Sequence, residues 1–284
     1  MYLMEKIKEA VNKARSERYM TSVDEEQGAI VKNSDSFQIG ISQKTNFDNH
    51  RSNDSLVYPI QYEESITHHV DAEILKEKRI ITKNDKTPAG KAYNLLRTKV
   101  LQKLEENGWN SFAVVSANGG EGKTLTAINL AISIARDIKH TALLADFDLI
   151  NPGVHRHFDY FPEYAFEDYL LSDIGLNKIL MNPGIEGLLV LPGKGEVNNS
   201  AETLASPSVQ HLANELKNYY QSRVIIYDLP PLLETDDALC FSSCYDAVLI
   251  VIEDGKTTED DLVRMSEVLG NKPVLGTILN KSPL

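Results

Sequence analysis

The feature that most constrains the fold is a glycine-rich stretch at residues 116–131, which reads "SANGGEGKTLTAINLA". The apolar run "SFAVVS" leads into it and predicts a buried strand, and the stretch then continues as an apolar helix. Glycines let the backbone approach an anion closely, and successive N–H groups at the start of a helix form an anion-binding nest. A strand, a glycine-rich turn and a helix in this order predict a phosphate-binding loop. We call residues 117–124 the phosphate loop.

The phosphate loop also supplies a cation and a metal ligand. Lys123 can reach the β- and γ-phosphates of a nucleoside triphosphate, and the hydroxyl of Thr124 can ligate Mg²⁺. The predicted nucleotide-binding residues are Asn118, Gly119, Gly120, Glu121, Gly122, Lys123, Thr124 and Leu125. Asn280, at the end of the last predicted strand, is a candidate for reading the adenine edge, with an ordinary loop asparagine as the alternative.

Two further predicted strands end in carboxylates. The segment "TALLADFDLINP" places Asp146 and Asp148 at alternate positions, and "RVIIYDLPP" ends its strand with Asp228. In an open parallel sheet, ligands bind at the carboxyl ends of the strands. Carboxylates at that edge are natural Mg²⁺ ligands, and one of them could also take a proton from an attacking hydroxyl group. The sequence therefore predicts a nucleotide and metal site built from three strand ends.

Strands and helices alternate along the last two-thirds of the chain. The predicted strands read "SFAVVS", "TALLAD", "GLLVLP", "RVIIYD", "DAVLIVIE" and "PVLGTIL". A helix that starts at Pro88 has Thr87 as its N-cap and Gly108 as its C-cap. Further helices are predicted to begin near Lys123, Pro207 and Thr257. The alternation predicts an α/β fold of the P-loop NTPase type, with a mostly parallel sheet covered by helices on both faces.

The chain upstream of this domain has a different character. Residues 1–18 have apolar positions at the spacing of an amphipathic helix, which is either a docking helix for a partner or a helix that frays. Residues 19–84 are polar and aperiodic, and they predict a flexible linker with a short ordered patch at 72–81. We therefore expect a disordered N-terminal extension, followed by a nucleotide-binding domain at 85–284.

Charge and hydropathy exclude several classes of function. The net charge is −12, and all of the excess lies in residues 111–284, which contain 12 basic and 24 acidic residues. Nucleic-acid binding requires clustered Lys and Arg, so no nucleic-acid partner is expected. No apolar run approaches the ~18 residues of a membrane span, and the N-terminus is too charged for a signal peptide. The expected location is therefore cytoplasmic.

Three segments together resemble a known family. "SANGGEGKT", "LLADFDLINPGVHRHF" and "VIIYDLPPLLETDDAL" resemble the Walker A, A′ and B segments of bacterial tyrosine kinases of capsular and exopolysaccharide synthesis. The opening "EAVNKARSER" resembles the start of cytoplasmic members with a free-standing kinase domain. The resemblance runs from about Pro88 to Lys281. It implies a fold related to the partition and septum-placement ATPases. Those ATPases typically have a signature lysine where this chain has Asn118, so they are the second choice.

The resemblance also implies an activity and a partner. The expected reaction transfers the γ-phosphoryl group of ATP to tyrosine. Lys123 and Thr124 would serve the phosphates and Mg²⁺, Asp148 and Asp228 would hold the metal, and Asp146 would activate the tyrosine hydroxyl. The expected partner is a membrane-embedded polysaccharide co-polymerase, whose cytoplasmic tail recruits the kinase to the inner face of the membrane. A homo-oligomer is also compatible with the resemblance.

Departures from the family pattern leave a second hypothesis open. Ile150 and Asn151 stand where the family commonly has two arginines, and Lys91, Asn94 and Arg97 replace an assembly motif of Glu, Arg and Arg. The alternative function is a nucleotide-gated scaffold that binds ATP and assembles a partner without phosphorylating it. The family's C-terminal tyrosine cluster is also missing. Any autophosphorylation is therefore predicted before residue 85, with Tyr58 and Tyr62 favoured.

Overall fold

The computed structural model describes residues 66–83, 85–172, 174–195, 197–219 and 222–282. The predicted helix at 1–18, most of the predicted linker and the two favoured tyrosines lie outside these residues. None of the helices within the described ranges is both long and apolar enough to span a membrane.

The described residues form eight strands and nine α-helices, alternating along the chain. The strands are β1 (Ile66–Thr67), β2 (Ser111–Ser116), β3 (Thr141–Asp146), β4 (Met181–Asn182), β5 (Leu188–Leu191), β6 (Arg223–Asp228), β7 (Ala247–Glu253) and β8 (Val274–Asn280). The helices are α1 (Ala72–Glu77), α2 (Pro88–Asn107), α3 (Lys123–Ala135), α4 (Val154–His157), α5 (Phe166–Leu171), α6 (Ser200–Ala205), α7 (Pro207–Tyr219), α8 (Asp237–Cys240) and α9 (Glu259–Leu269).

All the described strands belong to one sheet, in the order β1-β4-β5-β3-β6-β2-β7-β8. Neighbouring strands are parallel, except that β4 runs antiparallel to β5. The predicted mostly parallel sheet is confirmed. Its three adjacent central strands, β3, β6 and β2, are those that lead into the three motif segments. Because they are parallel, their carboxyl ends meet at one edge of the sheet.

Each face of the sheet carries its own apolar core, because successive side chains of a strand point to opposite faces. In β2, Phe112 and Val114 belong to one buried cluster, which includes the apolar side of α3. Ala113 and Val115 belong to the other cluster, which includes residues of α7 and α9. The prediction of helices on both faces is therefore confirmed.

The capping pattern predicted for α2 is also confirmed. The Thr87 side chain accepts a hydrogen bond from the backbone N–H of Gly90, and Pro88 is the first helical residue. Gly108 closes the helix with a φ of 67°, a left-handed conformation that favours glycine. The predicted starts of α3 and α7 agree with the structure. Helix α9 begins two residues later than predicted, because Thr258 is its N-cap.

The ordered structure extends upstream of residue 85. β1 pairs with β4, and α1 follows with Asp71 as its N-cap. Ile80 and Ile81 are buried, and the backbone N–H of Ile81 donates to Oδ1 of Asn129 on α3 at 2.8 Å. The segment between β1 and residue 83 is thus part of the packed domain.

Candidate active site

The predicted site residues converge at the carboxyl edge of the sheet. Asp146 ends β3 and Asp228 ends β6, and the two residues are directly paired in the parallel register of these strands. The phosphate loop follows β2, which pairs with the other side of β6. The topology therefore brings together in space three segments that are far apart in the sequence.

Lys123 is the cation at the centre of the site. It is the first residue of α3, its side chain is largely buried, and its Nζ lies 2.7 Å from Oδ2 of Asp148 and 3.9 Å from Oδ1 of Asp228. Burial disfavours the ammonium form, but the charges of Asp228 and Asp148 outweigh burial and raise the pKa of Lys123 above its ordinary value. Lys123 is therefore charged at neutral pH, and its ammonium group lies among the carboxylates that follow the strand ends.

The two paired strand-end carboxylates are fully buried. Oδ2 of Asp146 accepts hydrogen bonds from the backbone N–H groups of Gly153 and Val154, both at 2.9 Å. Its Oδ1 makes no hydrogen bond with another described residue, whereas the carboxylate of Asp228 lies near the hydroxyl of Thr124 and 3.9 Å from Nζ of Lys123. Burial raises the pKa of both carboxyl groups, and for Asp146 the charge of Asp228 raises it further. Buried carboxylate oxygens without donors are rare in folded proteins unless a cation or ligand completes the site.

This set of donors fits Mg²⁺. The buried carboxylate of Asp228 lies near Thr124 and Lys123, and Nζ of Lys123 is 3.4 Å from the hydroxyl of Thr124 and 2.7 Å from Asp148. Within the described ranges, no three His, Cys, Asp or Glu side chains converge on a ready-made metal site. Mg²⁺ is usually held by one or two protein ligands and completes its shell with phosphate oxygens and waters. Thr124, Asp148 and Asp228 are therefore suited to a metal ion that arrives with the nucleotide.

Glycine is required at position 122 of the phosphate loop. Gly122 has a φ of 93°, and a Cβ atom placed there would lie 2.2 Å from Nδ2 of Asn280. Any other residue would be strained at this φ, and its Cβ would also have to displace the side chain of Asn280. Gly120 also has a positive φ, of 77°, but the space beside it is open.

Two predicted nucleotide-binding residues have side chains that contact the protein itself. Glu121 is completely buried and accepts hydrogen bonds from the N–H of Ala117 and the hydroxyl of Thr257, so its carboxylate does not face the nucleotide side. Asn280 lies beside the loop as predicted, with its Nδ2 donating to the carbonyl of Glu121 at 2.8 Å. Its role at the adenine edge stays a prediction.

The other predicted residues line the same loop. Leu125, on the first turn of α3, packs against the core on that side of the sheet. The side chain of Asn118 lies close to Asp261 on α9. Hydrogen bonds from Thr258 are the main cause that lowers the pKa of the Asp261 carboxyl group, and a hydrogen bond from Asn118 lowers it further. The position that separates this chain from the septum-placement ATPases is therefore close to the start of α9.

One contact in the loop was not predicted from the sequence. The backbone N–H of Gly119 donates to Oε1 of Glu234 at 2.6 Å, and the two residues are 115 positions apart. Glu234 follows β6 and is exposed. A carboxylate thus already binds one amide of the predicted anion nest, which is chemical evidence that this amide attracts negative charge.

We expect Glu234→Gln to bind ATP about threefold to tenfold more tightly than the wild type. The neutral amide is a weaker competitor for the N–H of Gly119 and removes a negative charge from the phosphate site. Isothermal titration with Mg²⁺ and ATP at fixed ionic strength measures the effect. Glu105→Gln, the same change on an exposed position of α2, is the matched control. Unchanged or weaker binding by the Glu234 variant would show that this contact does not compete with phosphate.

Comparisons with curated proteins identify relatives of the chain. No protein-family model matches the chain. Over 194 residues the chain is 31% identical to tyrosine-protein kinase YwqD of Bacillus subtilis (strain 168), a match that covers 68% of this chain and 81% of that protein. Over 178 residues it is 32% identical to the succinoglycan biosynthesis transport protein ExoP of Rhizobium meliloti (strain 1021), covering 61% of this chain and 22% of that protein.

Solved structures with a similar fold include a kinase domain and an ATPase. The kinase domain of Escherichia coli tyrosine kinase ETK superposes with a TM-score of 0.64 at 26% identity, covering 78% of this chain and 92% of that chain. The septum site-determining protein MinD of Pyrococcus horikoshii OT3, in complex with Mg-ADP, gives a TM-score of 0.51 at 21% identity, covering 60% of this chain and 69% of that chain. The second likeness supports the fold alone, and it agrees with the predicted P-loop NTPase fold.

Proposed function

Because the chain belongs to the bacterial tyrosine kinases, the family that its motif segments resemble, we propose that it transfers the γ-phosphoryl group of ATP to tyrosine. The observation that carries the proposal is the buried cluster of Lys123, Asp146 and Asp228 beside a phosphate loop. A cation beside the phosphates, metal ligands and a proton acceptor are the groups that phosphoryl transfer needs.

The phosphate loop and Lys123 bind and orient the triphosphate in this proposal. The N–H groups of the loop and the N-terminus of α3 supply fixed partial positive charge, and the Lys123 ammonium supplies a full charge. Thr124, Asp148 and Asp228 would hold the Mg²⁺, which would supply charge neutralisation at the phosphate oxygens. Positioning and charge neutralisation account for most of the catalysis in reactions of this class.

Asp146 is the proposed acceptor of the tyrosine proton. Its Oδ2 is fixed by two backbone N–H groups, and its Oδ1 makes no hydrogen bond with a described residue. Burial and the neighbouring Asp228 raise the pKa of this carboxyl group, which makes its ionised form a stronger base than an exposed aspartate. The two backbone bonds hold the carboxylate in one orientation.

The cellular role belongs to the same proposal. A relative named for succinoglycan biosynthesis transport contains a matching segment, and the kinase family is associated with capsules and exopolysaccharides. We propose that this kinase regulates polymerisation or export of an exopolysaccharide. It would act in the cytoplasm, at the inner face of the membrane, with a membrane-embedded polysaccharide co-polymerase as its partner. It could also form homo-oligomers.

A nucleotide-gated scaffold is the second candidate function. The observation that favours it is the presence of Ile150 and Asn151, which place no positive charge immediately after Asp148. The Asn151 side chain accepts a hydrogen bond from Arg156 at 3.0 Å. A scaffold would bind ATP through the same loop but would leave tyrosine unmodified.

Peptide mapping by mass spectrometry tests the kinase proposal. The full chain is incubated with ATP and Mg²⁺, with and without a synthetic tyrosine-containing acceptor polymer. We expect phosphotyrosine on the acceptor and on the chain before residue 85, and we expect the double variant Tyr58→Phe, Tyr62→Phe to lose most of the signal on the chain. ATP binding with no phosphotyrosine on either molecule would favour the scaffold.

A further inference from the structure

Four successive carbonyl groups of the phosphate loop are each bound by a side chain. The carbonyl of Asn118 accepts from the hydroxyl of Ser116 at 2.9 Å, that of Gly119 from Nζ of Lys256 at 3.4 Å, that of Gly120 from Nζ of Lys281 at 2.7 Å, and that of Glu121 from Nδ2 of Asn280 at 2.8 Å. In a planar trans peptide the carbonyl and the following N–H point in opposite directions. The N–H groups that follow these carbonyls therefore point away from the side chains that bind the carbonyls, and that of Gly119 points to the carboxylate of Glu234.

The carboxylate of Glu121 also contacts the loop, from inside the protein. It is fully buried, and its Oε2 accepts the N–H of Ala117 at 2.9 Å. Its Oε1 accepts the hydroxyl of Thr257 at 2.7 Å, and that hydroxyl in turn accepts the N–H of Glu253 at 2.9 Å. A buried carboxylate is costly unless it is hydrogen-bonded, so this connected set holds the loop to the end of β7.

Lys256 and Lys281 contact the backbone of the phosphate loop. Oε2 of Glu253 lies 3.4 Å from Nζ of Lys256 and 3.1 Å from Nζ of Lys281. Their charges are therefore partly neutralised by one carboxylate, while each ammonium group also binds a loop carbonyl. The turn between β7 and α9 and the end of β8 thus form a support beneath the phosphate loop.

We propose that Glu121 and Thr257 are positioning residues, which fix the phosphate loop in its anion-binding shape before the nucleotide arrives. Both side chains contact the protein rather than the nucleotide side, so the effect is transmitted through the backbone of the loop. Donors that are already oriented cost no reorganisation on binding, so they increase nucleotide affinity. The inference deepens the proposed function, since it rests on ATP binding at the same site, but it does not require phosphoryl transfer.

Neighbouring threonines provide a matched test. Thr257→Val removes the hydroxyl that joins Glu121 to Glu253, while Thr257→Ser keeps it. Thr258→Val makes the same chemical change one residue later, where the hydroxyl caps α9 by accepting the N–H of Asp261 at 3.1 Å. The measurements are the dissociation constant of a non-hydrolysable ATP analogue with Mg²⁺, by isothermal titration, and the thermal unfolding midpoint without nucleotide.

We expect Thr257→Val to weaken binding of the analogue by about tenfold, the scale of one charge-assisted hydrogen bond. Thr257→Ser should bind within about twofold of the wild type. Thr258→Val should lose thermal stability, as loss of an N-cap does, and keep its affinity. Thr257 is only half-buried. If the valine variant does not fold, Thr257→Ala gives the same comparison without adding a methyl group.

The inference would be overturned if Thr257→Val and Thr258→Val lost stability alike and both bound the analogue as the wild type does. The outcome is separate from that of the kinase proposal. A wild-type protein that binds ATP and phosphorylates nothing contradicts the kinase, while the comparison of threonine variants still decides the role of Glu121 and Thr257.

Discussion

Lys123→Met should weaken ATP binding by more than tenfold and reduce phosphotyrosine formation to background. The substitution removes the ammonium that lies 2.7 Å from Asp148 and 3.9 Å from Asp228. Without it, Asp146, Asp148 and Asp228 face the triphosphate with no lysine between them. Charge-assisted contacts are the strong ones, and a tenfold loss corresponds to about 1.4 kcal/mol. Isothermal titration measures the affinity, and phosphotyrosine detection measures the reaction.

A second lysine serves as the control for this substitution. Lys217 also forms an ion pair, with Asp246, whose Oδ2 accepts the backbone N–H groups of Asn110 and Ser111 at the opposite edge of the sheet. Lys217→Met should therefore alter stability but leave ATP affinity unchanged. Equal ATP affinity in Lys123→Met and the wild type would contradict the assignment of the phosphate loop.

Asp146→Asn should slow phosphoryl transfer without weakening ATP binding. We expect the rate of phosphotyrosine formation to fall by about 100-fold or more, the scale of general base catalysis, with ATP affinity equal to the wild type or higher. The amide oxygen of asparagine can still accept the N–H groups of Gly153 and Val154, so the local structure is retained, but the side chain cannot take a proton. Single-turnover kinetics at saturating ATP measure the rate.

The contrasting variant is Asp228→Asn, which changes a proposed metal ligand. It should raise the Mg²⁺ concentration needed for half-maximal rate, whereas Asp146→Asn should leave that requirement unchanged. A rate within tenfold of the wild type for Asp146→Asn would rule out its role as the base.

Most of the central sheet could be predicted from the sequence, because its strands are encoded locally. The runs "SFAVVS", "TALLAD" and "RVIIYD" match β2, β3 and β6 residue for residue, since a strand covered on both faces is apolar throughout. The starts of α3 and α7 were also predictable, because Gly122 and Pro207 mark them.

The two-residue strands β1 and β4 could not be predicted. A strand of this length has no periodicity to detect, and it exists only because a neighbour supplies its hydrogen bonds. The same reason explains why the packed structure extends upstream of residue 85. Ile80 and Ile81 are buried by contact with α3, which lies some fifty residues later in the chain.

The candidate site was also only partly predictable from the sequence. The convergence of Lys123, Asp146 and Asp228 follows from topology alone, since parallel strands end at one edge. The contacts of Glu234 with Gly119 and of Thr257 with Glu121 join residues 115 and 136 positions apart, and no local pattern encodes them. Glu121 was predicted as a nucleotide-binding residue from its place in the loop, but its side-chain contacts depend on the end of β7.

The destination of the γ-phosphoryl group tests the central claim most directly. The full chain in excess over γ-labelled ATP, with Mg²⁺ and an acceptor polymer containing tyrosine, consumes each nucleotide once. The fractions of the label in phosphotyrosine and in inorganic phosphate are then measured. A tyrosine kinase predicts that most of the consumed label is found on tyrosine, and that Asp146→Asn slows its appearance. Label that appears only as inorganic phosphate, or that stays in ATP bound to the protein, would contradict the account.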